Sequence, residues 1–206
     1  MQLLVFAFAI TVHESMHAAT ANYFGDPTAK KLGRISLNPV RHVDIFGSII
    51  FPLVLYFSQL PIFGWAKPVP VNVANLRNPK LHHTLVAVAG PASNLLQAFV
   101  AAGMYQWYQP IASRVPAAAA EAIFWLLIMT CVVNTYLAIF NMLPIYPLDG
   151  SAVLAGLLPD NLSEKLLQLQ PYGFVVLFVV MYTGGLDWFM RPMAGAVFSF
   201  FRLPVR

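Results

Sequence analysis

The sequence predicts an all-α polytopic membrane protein: about four transmembrane helices, a re-entrant hairpin, and a short β or extended edge segment. Three observations predict it. The 206 residues are 59% hydrophobic and 10% charged, with a mean hydropathy of +0.68, whereas a soluble domain carries about 25% charged residues. Four stretches, roughly 1–24, 84–108, 121–143 and 171–190, are apolar over the ~20 residues a helix needs to cross a bilayer. Lysine and arginine gather in short loops between these stretches, a pattern of membrane topology and not of nucleic-acid binding, despite a formal charge of +4.

The elements follow in order. Segment 1–24 has no basic leader, so it reads as a retained span and not as a cleaved signal peptide. Loop 25–44 holds Lys30, Lys31, Arg34 and Arg41, and loop 64–83 holds Lys67, Arg77 and Lys80, together seven of the twelve basic residues. The positive-inside rule places both loops in the cytoplasm, and loop 109–120, with only Arg114, outside. Segment 45–63, broken by Gly47, Pro52 and Pro61, then enters the membrane and returns. Next, Gly64 to Val73 reads as extended chain, because its prolines exclude a helix and confine any strand to a sheet edge. Lys67, Pro68, Val69, Pro70 and Val71 would offer that edge to an unwound substrate; the alternative is an ordinary proline-rich connector. Segment 159–170 suits an interfacial amphipathic helix, and Arg191 to Arg206 a membrane-surface anchor or a partner contact. One domain, 1–206, is expected, with a core at 1–155 and a C-terminal helix and tail at 156–206.

The chemistry is carried by His13-Glu14-Ser15-Met16-His17. Residues four apart share a helix face, so both imidazoles can address one Zn²⁺, with Glu14 placed to act on an activated water. Ionisable groups in an apolar helix are costly unless they function. Zinc hydrolases usually use three protein ligands, and one cysteine, Cys131, makes thiolate ligation improbable. Among the acidic and histidine candidates, Asp149 stands out. It ends Asn141-Met142-Leu143-Pro144-Ile145-Tyr146-Pro147-Leu148-Asp149-Gly150, where prolines stop a helix and Gly150 permits a tight turn. The local run fits a ligand or a helix cap equally; the histidine pair favours the ligand. Parity agrees, since a re-entrant 45–63 returns Asp149 to the side that holds His17.

Three motifs together resemble the site-2 protease family of intramembrane zinc metalloproteases (peptidase M50-like). They are His13 to His17, Gly90-Pro91-Ala92-Ser93-Asn94, similar to G-P-x-x-N, and Asn141 to Gly150, similar to N-x-x-P-x-x-P-L-D-G. The stretches Gly25 to Lys30 and Gly64 to Asn72 resemble the compact prokaryotic branch, without PDZ or CBS domains. The resemblance implies one Zn²⁺ per chain held by His13, His17 and Asp149, with Glu14 as general base. It implies that Asn141 positions substrate or stabilises an oxyanion, and that Gly90, Pro91 and Asn94 let the spans pack closely.

The expected activity is therefore hydrolysis of peptide bonds in or near transmembrane helices of other membrane proteins. The expected partners are such a substrate and the lipid bilayer, with no nucleic acid. The expected site is the prokaryotic cell membrane, with the active site toward the cytoplasm. Two rivals predict something else: a catalytically silent membrane scaffold, which would favour loss of Glu14 or a ligand, and a metal-binding or transport protein, which would want a polar path along several spans.

Overall fold

In the computed structural model, residues 1–60 and 64–204 are described, and all regular structure among them is helical. The chain runs α1 (Gln2–Tyr23), α2 (Thr28–Lys31), α3 (Phe51–Phe57), α4 (Pro79–Tyr108), α5 (Ala117–Asn141), α6 (Asp149–Leu157), α7 (Asp160–Gln168), α8 (Gly173–Tyr182) and α9 (Gly185–Phe200). Four helical stretches are long and apolar enough to cross a membrane: Gln2–Tyr23, Pro79–Arg114, Ala117–Asn141 and Asp160–Tyr182. In lipid every backbone polar group needs an internal partner, and an uninterrupted helix supplies one. Helix α4 starts where Asn78 caps it, its side chain accepting from Leu81 N at 3.4 Å, with Pro79 at the first helical position.

Helices α1, α4 and α5 pack against one another. The buried positions are largely small: Ala9, Ala18 and Ala21 on α1, Ala87, Ala98, Ala101 and Ala102 on α4, Cys131 and Ala138 on α5. Without a hydrophobic force between helices in lipid, such residues gain packing by letting backbones approach. The leucines and phenylalanines point outward instead, as Leu3, Leu4, Leu96 and Phe99 do.

Three ties gather the C-terminal end of α1 and the N-terminal end of α4 at one end of this bundle. Arg77 N donates to Phe24 O at 3.1 Å, the Arg77 guanidinium donates to Tyr23 O, and the Phe24 ring stacks on His82 with centroids 4.2 Å apart. The short turn after α4 (Gln109–Arg114) brings α5 back antiparallel, so its C-terminus reaches the same end.

Asp26, fully buried, fixes the crossing below α1. It accepts from Asn72 N at 2.7 Å, from Asn75 Nδ2 at 2.9 Å, and from the amide and hydroxyl of Thr28. Burial pushes its carboxyl up, but the donors from Asn75, Thr28 and Asn72 outweigh this and hold it below the ordinary carboxylate value.

The fold corrects four expectations. Segment 45–63 forms no hairpin among the described residues. Phe46–Ile50 is a π-helical turn continuing into α3, after which Trp65 N returns to Gly47 O at 3.1 Å; residues 61–63 of the expected hairpin lie outside the described residues. No β edge forms either. Residues 64–72 are extended chain without a strand partner, held instead by side chains and isolated bonds, such as Lys67 N to His42 O at 2.8 Å. The fourth span is 160–182, not 171–190, because Gly184 takes a left-handed conformation (φ 74°) that ends it. Within that stretch the amphipathic helix expected at 159–170 is present as α7, with Glu164 and Lys165 among leucines and no buried residue. Finally, Met190, Ala194, Phe198 and Leu203 are buried with Tyr105, Ile128 and Cys131, so α9 is part of the core and not a surface anchor. Residues 205–206 of the expected tail lie outside the described residues.

Candidate metal centre

Helix α1 brings His13 and His17 onto the face that meets α4, where they are 6% and 7% exposed. Each ring is held from behind. His17 Nδ1 donates to the Val86 carbonyl at 2.7 Å. A carbonyl only accepts, so Nδ1 carries the proton and Nε2 keeps its lone pair. His13 Nδ1 faces Asn94 Oδ1 at 2.6 Å. The Asn94 amide donates to Asn134 Oδ1 at 2.8 Å and to Ala9 O at 3.4 Å, which leaves its oxygen for His13. Both Nε2 atoms therefore point into one space as acceptors.

Asp149 completes the cluster. Gly150 lets α6 begin against the end of α5, since a methyl group there would strike the Met142 and Leu143 carbonyls. Asp149 is the first residue of α6, yet the helix has no side-chain cap. Its Oδ2 lies 3.1 Å from His13 Nε2 and 3.3 Å from His17 Nε2, and the two nitrogens are 3.0 Å apart. Buried Oδ2 has no hydrogen-bond partner.

Three lone pairs facing one another at this range repel unless a cation lies between them. Tetrahedral zinc with bonds of about 2.0–2.1 Å sets its ligands roughly 3.3 Å apart, against the observed 3.0, 3.1 and 3.3 Å. The two imidazoles and one carboxylate are also the donor set of several zinc hydrolases. The residues fit zinc. His13, His17 and Asp149 form the one such cluster of potential ligands among the described residues.

Gly90 of the second motif faces both rings; a methyl there would fall 2.6 Å from His13 Cε1. Pro91 is buried beside it, and Ser93 donates to Gly90 O at 2.7 Å. Glu14 is half-buried, and its charge bears on both His17 and Arg34. Arg34 itself is 4% exposed and donates to Lys67 O; burial pushes its guanidinium down, opposed by the Glu14 carboxylate. A basic neighbour of Glu14 thus comes from the following loop. Asn141, the last residue of α5, turns its Nδ2 back to Leu137 O at 3.0 Å. Lys67 to Val71 lie in the extended segment that Arg34 touches and are not among the clustered ligand residues.

Sequence reasoning missed three supports. Asn134 had a signal, a polar residue buried in an apolar span. The Val86 carbonyl had none, because any residue carries one. The Arg34 contact depends on a loop path that composition does not encode.

Residues 1–182 match peptidase family M50. Among curated relatives, the chain is 37% identical over 188 residues to "Putative zinc metalloprotease YwhC" of Bacillus subtilis, covering 91% of this chain and 83% of that one. It is 27% identical over 187 residues to "Putative zinc metalloprotease Rip2" of Mycolicibacterium smegmatis, covering 89% and 67%. The protein of the same name from Mycobacterium tuberculosis is 29% identical over 198 residues, covering 95% and 70%. No solved structure matches the chain. With a family match over most of its length and a ligand cluster that fits zinc, the chain belongs to peptidase family M50, the site-2 proteases, and is a membrane-embedded metalloprotease.

Proposed function

We propose that this metalloprotease cuts peptide bonds in or beside the transmembrane helices of other membrane proteins. The observation that carries the reading is the meeting of His13, His17 and Asp149 within an apolar helical bundle, with the Glu14 carboxylate next to His13 in the chain. One zinc ion per chain would be held there, supplying a Lewis acid that acidifies a water and polarises the scissile carbonyl. Glu14 accepts the proton of the attacking water and returns it to the leaving amine. Asn94 and the Val86 carbonyl hold the imidazoles in their ligating tautomers, a support that commonly governs metal affinity. Asn141 positions the substrate backbone at the end of α5.

A helical substrate hides its carbonyls in its own hydrogen bonds and must unwind before attack. Lys67, Pro68, Val69, Pro70 and Val71 offer extended backbone for the unwound chain. Among the described residues the Val69 and Val71 amides have no protein partner, so main-chain pairing is open to a substrate. Glycine, proline or polar residues near the cut should favour cleavage, because they weaken the helix. The basic loops at this end of the bundle support an orientation toward the cytoplasm of a prokaryotic cell membrane. A silent scaffold has no use for a complete ligand set together with Glu14.

Glu14→Gln tests the reading. Zinc content should stay at the wild-type value while cleavage of a synthetic transmembrane peptide in proteoliposomes falls below detection. Turnover at the wild-type rate would remove Glu14 from the chemistry.

A further inference from the structure

We propose that His83 is a further catalytic residue: its imidazole N–H donates a hydrogen bond to the substrate carbonyl oxygen as negative charge develops there. The proposal rests on the protease reading above. At about 100° per residue, His83, Gly90 and Asn94 of α4 lie within roughly 40° of one another around the helix axis. Gly90 touches both metal-facing imidazoles, and Asn94 holds His13 from behind. His83 continues the same stripe toward the basic-loop end, one turn before Val86, whose carbonyl holds His17. The stretch is also covered by α6, where Gly156 sits so close to Thr84 that a methyl group would overlap it. His83 thus stands between the α1 ligands and the helix that begins with Asp149.

Three facts separate it from its neighbours. Its ring lies within electrostatic reach of both the Asp149 carboxylate and the His17 imidazole. It stands outside the ligand cluster, whose atoms lie within 4.8 Å of one another, so it borders that cluster without completing it. It has no hydrogen-bond partner among the described residues and is only partly buried. Adjacent His82, by contrast, is spent on structure, accepting from Asn78 N at 3.0 Å and stacking on Phe24. The Asn141 amide gives one of its two N–H groups to its own helix, at Leu137 O. The His83 imidazole at the rim of the site adds a donor with no such commitment.

In the step, the water oxygen bonds to the carbonyl carbon and the C=O π pair moves onto the carbonyl oxygen. The water proton passes to Glu14 and then to the leaving nitrogen as the C–N bond breaks. His83 keeps its proton throughout and stabilises charge by donating to it.

The test uses full-length protein in proteoliposomes with a synthetic transmembrane peptide. His83→Ala should lower kcat about 100-fold, the loss expected for one oxyanion donor, with KM and zinc content near wild type. His83→Gln, which restores an N–H donor, should recover most of the rate. A readout independent of turnover uses the Glu14→Gln background. There, His83→Ala should weaken a phosphonamidate analogue of the peptide about 100-fold while leaving the intact peptide's affinity unchanged. Wild-type kcat in His83→Ala, loss of zinc in both variants, or equal weakening of the two ligands would each overturn the proposal. If Glu14→Gln remained active, the protease reading would fail first, which distinguishes the two failures.

Discussion

Gly90 shows how much of the centre is decided at a single residue. The pair of imidazoles needs α4 to come close enough for Val86 and Asn94 to hold their far nitrogens at 2.7 and 2.6 Å. Only a residue without a side chain permits that approach, since a methyl at Gly90 falls on the rings themselves. Overpacking a site of this kind costs about 1–3 kcal/mol. Gly90→Ala should therefore lower zinc affinity by about ten- to a hundredfold, measured by competition with a chelator. Unchanged affinity would mean that α1 and α4 separate freely, contrary to their close packing. Much at this scale was legible beforehand. Four-residue spacing on a helix fixes His13 and His17 to one face whatever surrounds them, and Asp149 was marked by the prolines before it. The outer supports were not legible, because a backbone carbonyl leaves no trace in side-chain identity.

At the scale of elements, the segment between α1 and α4 matters most, since it carries the extended chain proposed above to meet the substrate. Its stability rests on Asp26 and not on a β ladder. Asp26 is ionised and held below the ordinary carboxylate value in the folded chain. Its stabilisation is thus present above about pH 3.9, the value in an unfolded chain, and is lost as pH falls through the lower folded value. Asp26→Ala leaves the donors of Asn72, Asn75 and Thr28 unmatched, costing about 2 kcal/mol, or a melting temperature lower by about 4–8 °C. Asp26→Asn should in addition flatten the acid limb of the stability curve. A wild-type acid limb in that variant would show that another carboxylate controls it. The sequence reading of this region erred for a physical reason. Prolines announce extended backbone, but whether it pairs as a strand depends on what lies alongside, and here His42, Arg34 and Asp26 do.

Across the whole molecule, hydropathy located the spans well because bilayer thickness fixes their length. It misplaced the last one. Residues 160–170 carry Asp160, Glu164 and Lys165 among leucines, so the expected span began after them, and the left-handed turn at Gly184 sets its end. Nor does composition distinguish an arginine- and aromatic-rich tail lying on a membrane from α9 packed into the core. What unites the molecule is that residues 13, 17 and 149 come from α1 and from the start of α6, and meet because α4 and α5 return the chain to one end. Zinc X-ray absorption on the purified protein tests that convergence most directly. The account predicts one zinc per chain, two imidazoles and one carboxylate oxygen at about 2.0–2.1 Å, and loss of the oxygen ligand with reduced zinc content in Asp149→Ala. A spectrum and stoichiometry unchanged by Asp149→Ala would contradict it.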